Sequence, residues 1–245
     1  LALGGMGPCA LEEVFGDGHQ LGLKIQYAVQ ETPRGLADAF IVGEQFLNGE
    51  SVAMILGDNI FYGHGLPDLL TAAREQVEKH GGGHIFGYYV PDPERFGVIE
   101  LDESGGVKHV EEKPIKPKSN YAAIGLYLFD GKVSEIAKNV VPSARGELEI
   151  PSVINAYGKA GGLGCSLLGR GFAWFDTGTH DSLLEASEFV MTIEKRTGLK
   201  IGCVEEVALS MKFIDGKKLT ELAEPLKKSG YGQYLLRLLE GGVRP

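Results

Sequence analysis

Cysteine is scarce in this chain of 245 residues, and the three that it has, Cys9, Cys165 and Cys203, lie far apart. An odd number of widely spaced cysteines excludes a disulfide framework and a Cys-x-x-Cys metal site. The pattern favours a reducing compartment, and we expect a cytoplasmic protein. The first ten residues have no basic segment ahead of an apolar stretch, so no secretory signal is expected.

Long apolar runs and excess positive charge are also lacking. The longest apolar run, residues 121–129, has the length of a strand and falls short of the ~18 residues of a membrane span. There are 24 basic and 33 acidic side chains, a net charge of −9, and no basic tract. We therefore expect neither a membrane partner nor nucleic-acid binding through phosphate neutralisation. Glycine is the one excess, with 36 residues, and indicates many tight turns.

Apolar runs alternate with amphipathic stretches, which is the pattern of an α/β fold. Residues 52–56 are all apolar, as expected for a buried central strand, and 67–80 have helical spacing before a second strand at 84–90. This strand–helix–strand order predicts a doubly wound, mostly parallel mixed sheet of the Rossmann-like kind.

A hairpin is predicted after this unit, because residues 96–101 and 107–113 flank a loop that contains glycine. We expect a core over residues 1–197 and a helical appendage over 198–245. Further strands are predicted at 122–129, 163–168 and 172–175, and further helices at 35–47, 132–139, 148–159, 182–196, 205–211, 217–228 and 231–239.

Two aspartates stand where an apolar strand is predicted to end. Asp58 follows the run that closes at Leu56, and Asp176 follows residues 172–175. Ligands of open α/β sheets bind beyond the carboxyl ends of the strands, so both carboxylates are placed to hold a metal or a polar substrate. Together they could share one Mg²⁺, which takes oxygen ligands and substrate phosphates. A turn or helix-cap role stays open for each.

Three other segments could bind a nucleotide or a phosphate. Lys113 at the end of the hairpin offers a compact charge, although an edge strand protected by charge and proline is the simpler interpretation of that segment alone. In the loop before the predicted helix at 35–47, the Gln30 amide offers a donor and an acceptor, and Gly35 lets the backbone approach a flat base. A turn that merely starts the helix is the alternative. The glycine-rich residues 3–7 could cradle phosphate, but no basic partner lies nearby.

At this point the separate segments resemble one family, the bacterial glucose-1-phosphate thymidylyltransferases, which are sugar nucleotidylyltransferases. The resemblance runs from about residue 11 to about residue 239, and residues 142–150 and 231–236 add to it. The six segments that carry it, in the family's order, are residues 29–39, 56–63, 92–98, 111–114, 117–122 and 174–180.

The resemblance implies a doubly wound nucleotide-binding core with an inserted sugar-binding region and a C-terminal helical piece. It implies a reaction of dTTP with glucose 1-phosphate that gives dTDP-glucose and pyrophosphate, an early step toward dTDP-sugars such as dTDP-rhamnose. It further implies that Asp58 and Asp176 hold the Mg²⁺ cofactor, that Lys113 pairs with the sugar phosphate, and that Gln30 and Gly35 read the pyrimidine. Members of the family assemble as homo-oligomers, commonly tetramers.

The same resemblance assigns Gly97, Glu112 and the backbone near Ala123 to the sugar pocket. Two departures from the family's pattern are visible. Phe96 stands where the family has tyrosine, and the glycine-rich segment before Pro8 is not followed by the family's loop arginine, its later lysine and the adjoining core segment.

Three other interpretations stay open. A remnant that binds sugar nucleotide or phosphosugar without turnover would be consistent with the absent arginine and lysine. A uridylyltransferase is the second, although the segment 174–180 and the Gln30 loop favour thymidine. A metal-dependent glycosyltransferase is the third, and the chain lacks the Asp-x-Asp metal motif expected of it.

Overall fold

The computed structural model describes residues 2–4 and 9–241, which fold into two compact units. Residues 30–183 form one unit, called here the core unit. The terminal unit combines the described residues of 1–29 with those of 184–245. The boundary expected between residues 197 and 198 stays a prediction.

Helices and strands are interspersed up to residue 176, and the described elements beyond it are all helical. The strands of the described residues are β1 (Ala2–Gly4), β2 (Tyr27–Val29), β3 (Val52–Ile55), β4 (Asn59–Gly63), β5 (Gly83–Tyr89), β6 (Gly97–Leu101), β7 (Val107–Glu112), β8 (Tyr121–Phe129), β9 (Leu163–Leu168) and β10 (Phe172–Asp176). Their helices are α1 (Cys9–Phe15), α2 (Asp38–Val42), α3 (Glu44–Leu47), α4 (Leu66–His80), α5 (Val133–Lys138), α6 (Ile150–Lys159), α7 (His180–Thr197), α8 (Val204–Ser210), α9 (Gly216–Ala223) and α10 (Gly230–Leu239).

A mixed six-stranded sheet organises the core unit, in the order β7-β6-β8-β5-β9 with β3 also paired to β8. Strands β3, β5, β6 and β9 run one way and β7 and β8 the other. The predicted α/β class and mixed sheet are thereby confirmed. Strand β8 is the central strand, since its residues pair with β3 on one side and with β5 on the other. Its length and its almost continuous burial explain why it is the longest apolar run of the chain.

Helix α4 provides the crossover from β3 to β5. It begins with Pro67 in its first turn, and it ends at Gly81, whose N–H donates to the carbonyl of Val77. The buried side chains Ala73 and Val77 turn one face of α4 to the apolar cluster around Phe86 and Ile124. The helix predicted at 67–80 is confirmed to within a residue.

A strand that the sequence did not reveal, β4, pairs antiparallel with β10 in a two-stranded ribbon. Its residues are uniformly half-buried and do not alternate, so no period-2 pattern marks it. In this ribbon Asn59 lies opposite Asp176. The ribbon therefore places the residues after β3 beside the end of β10.

The terminal unit packs its helices around Leu219, Tyr234 and Leu235, which are fully buried. The helix predicted at 217–228 is shorter, because α9 ends at Ala223 and a 3₁₀ turn containing Pro225 follows. The helical stretch predicted at 35–47 is likewise divided by Gly43 into α2 and α3. Among the described residues, no helix has both the length and the apolar character that crossing a bilayer requires.

Candidate active site

A cavity of about 150 Å³ lies in the core unit, between the β4–β10 ribbon, strand β8 and the β6–β7 hairpin. Residues predicted from the sequence make up part of its wall: Gly97, Glu112, Lys113, Ala123 and Asp176. Chemically different groups therefore meet here, with a carboxylate at the ribbon and a carboxylate and an ammonium at the hairpin.

The two aspartates are brought together by the β4–β10 ribbon. The backbone N–H and the hydroxyl of Thr177 both donate to the carbonyl of Asp58 at 2.8 Å. Asp176 Oδ1 accepts from the N–H of Gly178 at 3.0 Å, so the turn role left open for this residue also holds. A Cβ atom placed on Gly178 would lie 3.0 Å from Asp176 Oδ1 and 3.9 Å from Asp58 Oδ2. One oxygen of each carboxylate thus lies within 4 Å of a common point in the turn after β10.

This pair of carboxylates matches the chemistry of magnesium. In the part of the chain that the structure describes, no group of three or more His, Cys, Asp or Glu side chains could hold a metal. Zinc sites need three or four protein ligands, so the pair does not suit zinc. Mg²⁺ is held by one or two carboxylates, keeps several waters and takes substrate phosphates, so the donor set fits it.

The end of the hairpin holds the second charged group of the site. Gly97 and Glu112 are paired across β6 and β7, and a Cβ on Gly97 would lie 3.3 Å from Glu112 Oε2. Lys113 has a left-handed backbone, with φ of 44°, and its N–H donates to the carbonyl of Phe96 at 2.9 Å. Its ammonium is half exposed and lies 4.0 Å from Glu112 Oε1. The hairpin register thus brings together the three residues predicted here.

The carboxyl group of Glu112 has a pKa above its ordinary value. Its burial, and then the charge of Glu149, raise its pKa, while Lys113 and Arg145 oppose that rise. The guanidinium of Arg145 lies 3.8 Å from Glu112 Oε1 and is bound more closely to Glu149, at 2.9 Å. Sequence reasoning gave Arg145 no role, although the segment 142–150 that contains it contributed to the resemblance.

Replacing Glu112 with glutamine is expected to stabilise the protein at neutral pH. A carboxyl whose pKa is raised on folding binds its proton more tightly in the folded state, so wild-type stability falls as pH rises from the ordinary value near 4.5 through the folded pKa. Glutamine carries no such penalty. The Tm of Glu112→Gln minus that of wild type should grow between roughly pH 4 and pH 7 in thermal unfolding. A difference that does not change with pH would contradict the raised pKa.

An aromatic wall completes the cavity. The rings of Phe96 and Trp174 pack edge to face with centroids 5.1 Å apart, and the guanidinium carbon of Arg95 lies 5.2 Å from the centre of the Phe96 ring. Arg95 donates to Asp92 at 2.7 Å, and this bond, together with the charges of Asp92 and Asp176, raises its pKa. None of these side chains was predicted to act in the site. The signal was present in segments 92–98 and 174–180, where only Gly97 and Asp176 were assigned roles.

The Gln30 loop contributes to the cavity wall through Leu36. Gln30 Nε2 donates to the carbonyl of Gly35 at 3.2 Å and to Asp38 Oδ2 at 2.8 Å. Asp38 is buried and paired with Arg34 at 2.6 Å. Both partners of Nε2 are acceptors, so both amide protons are engaged. The expectation that Gln30 offers a donor as well as an acceptor was wrong: only Oε1, an acceptor, is left for a ligand.

Gly35 is required by the fold of this loop. Its φ is 105°, and a Cβ atom there would lie 2.5 Å from the carbonyl oxygen of Leu148. In this structure, the lack of a side chain at Gly35 therefore allows the backbone of Leu148 to approach closely. Of the glycine-rich segment 3–7, only Leu3 and Gly4 belong to the described residues, in β1, and the rest of that prediction lies outside them.

Comparison with known proteins identifies the family. Residues 7–193 match the family model described as nucleotidyl transferase. The chain is 51% identical over 234 residues to a glucose-1-phosphate thymidylyltransferase of Xanthomonas campestris pv. campestris, covering 95% of this chain and 78% of that protein. It is 50% identical over 227 residues to the enzyme of the same name from Mycobacterium tuberculosis, covering 93% of this chain and 77% of the relative.

Solved structures agree with these relatives. A Bacillus anthracis protein described as a glucose-1-phosphate thymidylyltransferase, crystallised with sucrose, superposes with a TM-score of 0.67 at 36% identity. The match covers 76% of this chain and 74% of that one. With a family model, close relatives and a shared fold in agreement, the chain belongs to the nucleotidyl transferase family, among the glucose-1-phosphate thymidylyltransferases.

Proposed function

We propose that this protein transfers a thymidylyl group from dTTP to glucose 1-phosphate, giving dTDP-glucose and pyrophosphate. The observation that carries the proposal is that Asp58 and Asp176 each place an oxygen within 4 Å of one point, beside a cavity that Lys113 and Glu112 also line. A site for joining two phosphates needs this combination of a metal-binding acidic pair and a separate cation. The names of the relatives in Xanthomonas and Mycobacterium support the choice of substrates.

In this proposal Asp58 and Asp176 hold Mg²⁺ through their carboxylate oxygens. When bound, the ion neutralises phosphate charge and polarises the phosphorus centre that is attacked. Asp176 ends strand β10 and Asp58 directly precedes strand β4, so the pairing of these two strands holds both residues close together before substrate arrives. Such preorganisation is the main way in which phosphoryl-type transfer is accelerated.

Lys113 has the role of pairing with the phosphate of glucose 1-phosphate. An oxygen of that phosphate attacks the α-phosphorus of dTTP, and the bond from this phosphorus to the bridging oxygen breaks, so that pyrophosphate leaves. Lys113 keeps the attacking phosphate oriented and offsets its repulsion from the triphosphate. Glu112, Gly97 and the backbone at Ala123 line the same cavity, where a carboxylate can accept hydrogen bonds from sugar hydroxyls.

Gln30 is proposed to select the base, together with the backbone at Gly35. Because its two amide protons are bound to Gly35 and Asp38, its Oε1 can only accept a hydrogen bond. The N3 position of thymine and of uracil carries a proton, whereas N3 of cytosine is itself an acceptor. The loop therefore favours thymine or uracil and disfavours cytosine.

A comparison of nucleotides tests this function. Initial rates of nucleotide-sugar formation from glucose 1-phosphate should follow the order dTTP, then UTP, with CTP lowest. The thymine methyl is expected to contribute a factor of about 10. An unmatched acceptor is expected to cost CTP about 10² or more in kcat/KM. Turnover of CTP at the rate of dTTP would overturn the role of Gln30, and UTP turnover well above that of dTTP would indicate a uridylyltransferase.

We further infer a cytoplasmic homo-oligomer, a tetramer by resemblance to the family. Helix α8 supports self-association, because it exposes apolar side chains along its length. These are Val204 at its first position, Val207 in its middle and Met211 directly after its end. Exposed apolar side chains grouped on one element are typical of an interaction surface.

A further inference from the structure

Asn59 stands at the junction of three structural elements of the core unit. It is the first residue of β4, it faces Asp176 of β10 across the ribbon, and its side chain reaches Gly125 of central strand β8. It also lines the cavity. The nucleotide, metal and sugar assignments made above leave this side chain without a role.

The orientation of the Asn59 amide is fixed by its partners. Oδ1 accepts from the indole N–H of Trp174 at 2.7 Å and from the backbone N–H of Gly125 at 3.1 Å. Two donors can be met only by the amide oxygen, so Nδ2 must point the other way. There it donates to Asp58 Oδ1 at 2.8 Å.

Strand β8 makes room for this arrangement. A Cβ atom at position 125 would lie 2.6 Å from Asn59 Oδ1 and 2.7 Å from Leu56 Cγ. Only glycine there lets the amide approach the backbone of the central strand. The Asn59 side chain is thus held in position by strands β8 and β10 and not by a loop.

The hydrogen bond to Asp58 selects which oxygen of that carboxylate is available. Asn59 holds Oδ1, whereas Oδ2 is the oxygen that lies 3.9 Å from a Cβ placed on Gly178, the same point that Asp176 Oδ1 approaches at 3.0 Å. The terminal torsion of an aspartate is otherwise broad, so an unrestrained carboxylate would spend part of its time turned away from the common point. Side chains that orient a metal ligand in this way typically contribute 10- to 100-fold to metal affinity.

We propose that Asn59 is a positioning residue: it presents Asp58 Oδ2 toward Asp176 and fastens that carboxylate to Trp174 and to the central strand. This inference rests on the proposed role of Asp58 as a metal ligand. Asn59 acts through Asp58 and the indole ring. Its loss should therefore weaken divalent-metal binding without removing a ligand.

Binding of Mn²⁺, which like Mg²⁺ takes oxygen ligands, is the direct test, measured from the electron paramagnetic resonance signal of the free ion. Asn59→Ala is expected to weaken Mn²⁺ binding about tenfold or more. Asn59→Ser should fold and show the same loss, because its hydroxyl can still accept a hydrogen bond but is too short to reach Asp58. Asn155→Ala is the matched control, since that side chain also uses both its amide groups, on the backbone of Val110.

Each outcome decides a different claim. A tenfold loss in both Asn59 variants, with Asn155→Ala within about twofold of wild type, supports the inference. Unchanged affinity in the Asn59 variants, or an equal loss in Asn155→Ala, overturns it. Asp58→Ala tests the metal assignment separately from the role of Asn59. If this variant binds Mn²⁺ as wild type does, the metal assignment itself fails, whereas a loss in Asp58→Ala alone refutes only the role of Asn59.

Discussion

Asp58→Ala is expected to lower the rate of pyrophosphate release from dTTP and glucose 1-phosphate by about 10²- to 10³-fold, the usual cost of removing one preorganised stabilising group. Asp58 is exposed in the turn between β3 and β4, and Thr177 holds its backbone carbonyl through two hydrogen bonds of 2.8 Å. Truncation to alanine leaves those backbone bonds in place. The variant should therefore fold normally and lose the metal together with the activity.

The control for this experiment is Asp68→Ala. Asp68 is also an exposed aspartate of the core unit, in the first turn of α4, and it does not line the cavity. Its replacement should leave turnover close to that of wild type. Equal turnover of the Asp58 variant and wild type would show that the acidic pair has no part in the reaction.

Lys113→Gln is expected to reduce kcat/KM for glucose 1-phosphate about 10²-fold, while the KM for dTTP changes little. Lys113 is the predicted cation at the hairpin end of the cavity, and its ammonium is half exposed, within reach of a ligand. Glutamine keeps most of the length of the side chain and removes its charge. The effect should appear on the sugar phosphate because that substrate brings the charge that Lys113 offsets.

Steady-state kinetics with each substrate varied in turn will separate these effects. Lys116→Gln serves as the control, since Lys116 is an exposed lysine three residues further along and does not line the cavity. A similar loss in both variants would point to general surface charge. A rise confined to the KM for dTTP would place Lys113 on the nucleotide instead.

Much of the fold could be predicted because burial leaves a clear pattern in the sequence. The run 121–129 is almost continuously apolar since it forms the central strand, and α4 shows helical spacing because one of its faces packs on the sheet. Strand β4 could not be predicted this way. It is stabilised by β10, which lies far along the chain, and its half-buried residues carry no alternation.

The sequence indicated those residues of the candidate site whose proposed role depends on the charge of a single side chain. Asp58, Asp176 and Lys113 are charged residues at the ends of predicted strands, and the charge itself drew attention to them. Asn59 and Trp174 were missed since their importance comes from contact with each other across β4 and β10. No local pattern encodes such a contact. The engaged amide protons of Gln30 were missed for the same reason, because they depend on the buried Asp38.

The measurement that tests the account most directly is product formation by the wild-type chain with dTTP, glucose 1-phosphate and Mg²⁺. Pyrophosphate and dTDP-glucose should appear in equal amounts, at a rate that falls to background when the metal is chelated. A folded chain that binds dTDP-glucose but releases no pyrophosphate would contradict the account. It would identify a protein that recognises sugar nucleotides without making them.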